Sequence, residues 1–145
     1  MKIYILIILF LFSSCNQNEV FFDLENLEWE NRLVIVFSDN DEFIQNQLDD
    51  LTKYSDEIVD RDLVILFSDN NEFFVSFDGF QSKEMINEVS YEKIFKRFFN
   101  NRNSRTLLLG KDGQIKIDTN KFIDSNKIFK EIDQMPMRKE EMKSK

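Results

Sequence analysis

The chain has 145 residues, 42% of them apolar and 16 of them Phe, and a formal charge of −8. That is enough for one domain with a real core, and too acidic to favour nucleic acid or an anionic lipid surface as a partner. There is no His and one Cys, so the commonest metal ligand and general base is missing, as are an intramolecular disulfide and CxxC chemistry.

The N-terminus reads as an address. Lys2 precedes ten apolar residues, Ile3–Phe12. Ten are too few to span a bilayer but suit the core of a signal peptide. Phe12-Ser13-Ser14-Cys15 follows and resembles a lipoprotein box, with Phe12 where Leu is usual. The expected organisation is a lipoprotein signal peptide over 1–14, a lipidated Cys15 with a tether over 15–19, and a folded domain over 20–145. Several acyl chains, at roughly 0.8 kcal/mol per buried CH₂, hold a protein stably on a membrane. The expected location is the cell envelope, on the periplasmic or outer-membrane face. Removing residues 1–14 takes away Lys2 only, which leaves a charge near −9 (18 basic against 27 acidic residues). The alternative is an ordinary signal peptide or short anchor with Cys15 inert.

Val20–Trp29 is apolar enough to pack as a short strand or turn, with Trp29 in or near the core. Arg32–Phe37 contains five consecutive apolar residues and reads as a strand buried on both faces. Its continuation, Leu33–Phe43, recurs thirty residues later at Leu63–Phe73, with nine of eleven positions identical. Two such strands around a helix-length segment describe a βαβ unit. Asp39-x-x-Glu42 resembles a capping box that opens a helix over about 41–54, with Ile44, Leu48 and Leu51 on one stripe continued by Ile58. The second strand covers Asp62–Phe67. Alternating Phe73, Val75 and Phe77 suggest a short extra strand before an Asp78-Gly79 turn. Ser90 is the expected cap of a helix that turns Tyr91, Ile94, Phe95, Phe98 and Phe99 inward. Asn100–Ser104 is a polar loop. Thr106–Leu109 and Gln114–Ile117 flank Gly110-Lys111-Asp112-Gly113 as a hairpin. Asp124 or Ser125 caps a last helix with Ile128, Phe129, Ile132 and Met135 inward, and Pro136 ends it or follows its end. Met137–Lys145 is a charged tail, with room for one more helical turn.

The resulting order, β-α-β-α-β-β-α, is that of a thioredoxin-like α/β fold, three layers α/β/α around a mixed sheet. Thiol oxidoreductase or peroxidase chemistry is not expected, because thiolate chemistry needs a thiolate. Ser38-Asp39-Asn40-Asp41 stands where a thioredoxin places its CxxC and a peroxiredoxin its attacking Cys. No Pro precedes the third strand, where Ser104-Arg105 stands.

Three further stretches carry a family resemblance: Arg61-Asp62, Leu108–Lys116 (LLGKDGQIK) and Ile132–Met142 (IDQMPMRKEEM). Together they resemble a domain of unknown function found in small bacterial secreted proteins and in vertebrate sushi-repeat-containing matrix proteins, where it is called the DUDES or peroxiredoxin-like domain. The resemblance covers about Leu24 to Met142. It implies a thioredoxin-like fold without redox cysteines, and no established activity.

The topology assigns these stretches to one end of the sheet. Strands one and two carry a thioredoxin's chemistry at their C-terminal ends, and the three stretches belong at the opposite pole. An ion-paired cluster of Arg61, Asp62, Lys111, Asp112 and Arg138 is expected there. It reads either as a structural tie or as a binding surface for an anionic ligand or a partner protein, with Arg138 suited to two-pronged contacts. At the redox-like pole, Asp39, Asp41, Glu42, Asp69 and Glu72 could gather as oxygen ligands for Ca²⁺ or Mg²⁺, although both loops lack Gly and EF-hand spacing. Solvated acidic loops are the plainer reading, with Arg105 neutralising part of their charge. The leading expectation is a non-catalytic binding module on a lipid tether, with an envelope protein or anionic ligand as partner, no cofactor and no nucleic acid. The alternatives are a divalent-cation-binding domain and an enzyme of unknown class that does not use thiols.

Overall fold

The computed structural model describes residues 19–69, 72–99 and 104–144. The expected signal peptide over 1–14, the lipidation expected at Cys15 and residues 100–103 of the loop expected over Asn100–Ser104 lie outside the described residues. Its strands are β1 (Arg32–Ser38), β2 (Leu63–Asp69), β3 (Glu72–Ser76), β4 (Glu84–Met85), β5 (Ser104–Leu109) and β6 (Ile115–Thr119). They form one six-stranded mixed sheet in the order β4-β3-β2-β1-β5-β6. β1 and β2 run parallel, with Val34 opposite Ile65, while β5 runs antiparallel to β1, with Leu108 opposite Val34. The helices are α1 (Asp41–Leu51), α2 (Ser55–Asp60), α3 (Glu88–Phe98), α4 (Ser125–Gln134) and α5 (Pro136–Ser144).

The unbroken apolar runs at the centre follow from burial on both sides of the sheet. Side chains alternate across a strand, so Leu33 and Ile35 of β1 face one layer and Val34 and Val36 the other. The first layer is built from Ile94 and Phe98 of α3 with Phe99, Phe22 and Leu27. The second comes from Leu51 of α1, Ile58 of α2, and Ile128, Phe129 and Ile132 of α4. The architecture is the three-layer, thioredoxin-like α/β arrangement expected of the sequence.

Several local expectations are corrected. The helix over 41–54 breaks into α1, a 3-10 turn at Thr52–Tyr54, and α2, because Tyr54 leaves the helical region (φ −124°, ψ 40°). Ile58 therefore comes from a separate helix. Asn40, not Asp39, caps α1, accepting the Glu42 N–H at 2.9 Å. Asn87, not Ser90, caps α3, accepting the Ser90 N–H at 3.0 Å. The Ser90 hydroxyl is then free to accept the Phe22 N–H at 2.9 Å, which fastens the N-terminal segment to α3. Trp29 is not in the core but 63% exposed. Its backbone takes a left-handed turn (φ 70°) and its N–H donates to the Lys111 carbonyl at 2.6 Å. The backbone of this residue ties the entry loop to the hairpin while the side chain points outward. The alternating arm after β2 is β3, antiparallel to β2 and extended by the two-residue β4.

Pro136 does more than end α4. Met135 is extended (φ −65°, ψ 140°), and Pro136 is the first residue of α5, a position its fixed φ favours. The charged tail is thus a nine-residue helix.

Candidate functional site

At the C-terminal ends of β1 and β2, hydroxyls occupy the place of a thiol. Ser38 Oγ lies 2.6 Å from Ser104 Oγ across the β1–β5 pair, and Ser68 Oγ accepts the Ser38 N–H at 3.3 Å. Ser38 Oγ also accepts the Asn40 N–H at 2.9 Å. These hydroxyls satisfy one another and pin three strand ends. The acidic residues of this pole are not gathered. Asp39, Asp41 and Glu42 are exposed, and Asp69 pairs with Lys83 at 3.8 Å. Residues 70–71, which separate Asp69 from Glu72, lie outside the described residues. Among the described residues, no group of three or more Asp, Glu, Cys or His is placed to hold a metal ion. Arg105 does not serve the acidic loops either. It grips Asp118 on the neighbouring β6 through Nε (2.6 Å) and Nη2, and Nη1 donates to the Phe98 carbonyl.

The opposite pole carries a continuous ionic network. Arg32 opens β1 and is fully buried (0% exposed). Its two Nη groups donate to both oxygens of Glu141 at 3.1 and 3.2 Å, and Nη1 also donates to the Arg61 carbonyl at 2.8 Å. Lys111, at the tip of the β5–β6 hairpin, bridges Glu141 (2.9 Å) and Asp62 (2.8 Å). Arg138 of α5 donates to the Asp60 carboxylate, to the Asp60 carbonyl at 2.8 Å and to Asp133 at 3.3 Å. Arg61 holds Asp133 through two parallel bonds (3.0 and 2.7 Å), reaches Glu57, and lies 4.8 Å over the Phe129 ring. Asp112 stands apart from the network, pairing with Lys116 at 2.8 Å within the hairpin.

Of the five residues singled out from the sequence, the structure links Arg61, Asp62, Lys111 and Arg138 and leaves Asp112 beside them. Sequence reasoning missed Arg32, Glu57, Asp60, Asp133 and Glu141. One signal was available. Arg32 is the charged first residue of a strand otherwise buried on both faces, and a buried guanidinium requires a carboxylate.

The network explains α5. That helix is polar almost all round and cannot be held by an apolar stripe. Arg138 and Glu141, one turn apart, instead plug it into the end of the sheet. The carboxylates outweigh the desolvation of their partners. Burial alone would lower the pKa of Lys111, but the hydrogen bonds it donates to Asp62 and Glu141 raise it above the ordinary value. Burial likewise opposes the upward shifts of Arg61 and Arg138, which are carried by Asp133 and Glu57, and by Asp60 and Asp133. Burial would raise Glu141, yet Arg32 and Lys111 hold it below the usual carboxylate range. A carboxyl lowered in the folded state stabilises the fold above its unfolded pKa, and that contribution is lost as pH falls through the lower, folded value. Thermal melts between pH 6 and pH 3 are therefore expected to show Tm falling with acidification. In Glu141→Gln the starting Tm is lower and the fall shallower. Parallel curves for the two proteins would show that Glu141 is not a source of the acid sensitivity.

The polarity of this pole is sorted by depth. Among the described residues, the network joins four cations (Arg32, Arg61, Lys111, Arg138) to five carboxylates (Glu57, Asp60, Asp62, Asp133, Glu141). The cations lie inside, while Glu57, Asp60 and Asp62 are about half exposed. The Trp29 backbone is fixed to that of Lys111, a member of the network. No curated protein and no solved structure matches the chain. Residues 23–141, from the N-terminal 3-10 turn to the Glu141 that closes the ionic network, match the model of a domain of unknown function (DUF4174), and the chain belongs to that family.

Proposed function

We propose that the protein is a non-catalytic binding module held at the cell envelope by acyl chains on Cys15, and that its partner is an envelope protein with a basic contact surface. One observation carries the reading: the cations of the ionic pole are buried and matched, whereas carboxylates and Trp29 face solvent. A free anion would meet half-exposed carboxylates before it met a guanidinium, so a basic protein surface fits better than an anionic ligand. Trp is among the residues that dominate binding energy at interfaces, and here a rigid frame presents it. Non-catalytic action is supported by the chemistry at both poles. Hydroxyls that bond to one another replace a thiol at one, and the carboxylates at the other are engaged by Arg and Lys. The tether rests on the Phe12–Cys15 motif and the apolar run before it, and the resemblance to small secreted bacterial proteins agrees with it. No helix among the described residues is long and apolar enough to cross a membrane.

A photo-cross-linking side chain placed at Trp29 of the full chain in cells is expected to give one discrete adduct. The adduct should weaken when Glu57 and Asp62 are both changed to Lys. An equal yield of adducts from the same group at Phe122, an exposed aromatic elsewhere, would defeat the assignment of this surface. Cys15→Ser should move the protein from the membrane to the soluble fraction, and unchanged fractionation would defeat the tether.

A further inference from the structure

A second surface lies where the chain enters the domain. Phe21 is 59% exposed, Val89 58% and Phe77 50%. All three lie around the N-terminal segment. The Phe77 ring lies 6.3 Å from that of Phe22, and Ser90, next to Val89 in the chain, accepts the Phe22 N–H on its Oγ. One turn further along α3, the Lys93 ammonium sits 5.6 Å over the Phe21 ring and 3.9 Å from Asp23. The patch is rigid. Val20 is fixed on both sides, its N–H donating to the Met85 carbonyl at 2.8 Å and its carbonyl accepting the Asn87 N–H at 2.9 Å.

We propose that Phe21, Phe77 and Val89 lie against the bilayer that holds the acyl chains of Cys15, so that the domain rests on the membrane along its β3–α3 edge. This rests on the lipid tether proposed above. Four residues lie between Cys15 and Val20, five steps of the chain with a reach of at most about 17 Å, against a breadth on the order of 35 Å for a domain of this size. The tether is too short to lift this edge far from the lipid, and the edge that arrives carries two aromatic rings and a branched aliphatic side chain. Such groups partition into the headgroup boundary, while a lysine lays its stem along them and keeps its charge among the phosphates. The surrounding charge selects the lipid. Glu84, Glu88 and Glu92 are exposed nearby on β4 and α3, so the surface suits zwitterionic rather than anionic headgroups.

The test uses the full chain, processed in a bacterium that acylates lipoproteins and then reconstituted into phosphatidylcholine vesicles. A nitroxide is placed at Val89→Cys, and a control nitroxide at Glu140→Cys on the exposed side of α5. The label at 89 is expected to collide at least threefold more with oxygen, relative to an aqueous nickel chelate, than the label at 140. Adding Phe21→Ser and Phe77→Ser should return position 89 to the value at 140 while the protein stays on the vesicles and melts as before. Equal collision ratios at 89 and 140 in the parent, with acylation of Cys15 confirmed by mass, would overturn the docking and leave the tether standing. A mature mass without acyl chains would overturn the tether and the docking with it. Dipolar broadening between labels at 89 would mean that a second copy covers the patch, and an uncleaved segment 3–12 would mean that the chain's own apolar run does. Either result also overturns the proposal.

Discussion

Arg138→Ala is expected to lower stability by about 2–3 kcal/mol: its buried guanidinium loses charge-assisted hydrogen bonds, which contribute about 1.5–3 kcal/mol, while the Asp60 carboxylate left behind is 43% exposed and stays solvated. At about 3–4 °C per kcal/mol for a domain of this size, a melt followed by circular dichroism should shift by roughly 6–12 °C. The magnitude follows from the bonds that are lost. The Asp60 carbonyl and carboxylate both lose the Arg138 guanidinium, and among the described residues Asp133 keeps Arg61. Lys143→Ala is the matching control. Its pair with Glu140 (2.7 Å) is solvent-exposed, and such pairs contribute about 0–1 kcal/mol. The two substitutions lie in the same helix, so a large difference between them isolates burial rather than α5 itself. A loss below about 1 kcal/mol for Arg138→Ala would show that the ionic pole does not hold the fold and would free Arg138 for ligand contact.

Phe73→Ala should be more severe, at about 3–5 kcal/mol for a large buried aromatic. Phe73 is buried on β3, with Phe37 (5.8 Å), Phe99 (6.0 Å) and Tyr91 (5.3 Å) around its ring. Its removal opens a cavity where β3, β1 and α3 meet. Urea unfolding should show a lower midpoint with an unchanged slope, which reports lost stability rather than an altered unfolded state. Phe43, its counterpart in the repeated segment, is only partly buried on α1, so Phe43→Ala should be milder. Equal losses would contradict the different settings of the two residues. Total stability of small domains is about 5–15 kcal/mol, and the Arg138 and Phe73 effects should add because no element is shared. The double variant should sit at the edge of folding.

That repeat shows what the sequence could and could not disclose. Leu33–Phe37 and Leu63–Phe67 become matched parallel strands, as their apolar runs require. Beyond them, nearly the same residues diverge. Ser38–Phe43 turns into α1, because Asn40 caps it and Ile44, Leu48 and Leu51 follow at helical spacing. The second copy instead leads into β3, because Phe73-Phe74-Val75-Ser76 favours a pleated surface. The deciding information lies downstream of the repeat, so the repeat alone was ambiguous. The Trp29 expectation failed because hydrophobicity describes a side chain, and at this position the backbone turn decides its direction. The ionic pole was half legible. Two runs with specific residues located it, but the carboxylates that complete it are scattered from Glu57 to Glu141. Polar partners distant in sequence leave no periodic trace. The Phe21–Phe77–Val89 patch was illegible for the same reason, since its members come from three separate segments.

The Arg32–Glu141 contact spans 109 residues, and this has a consequence for the order of events in making the protein. The guanidinium at the head of the central strand finds its carboxylate only after almost the whole domain has left the ribosome. Until then that strand carries an unneutralised charge at the place where its neighbours would close over it. Long-range closures of this kind slow folding. A nascent chain that stays open until its last helix is made also stays suitable for threading through a translocation channel, as export to the envelope would require.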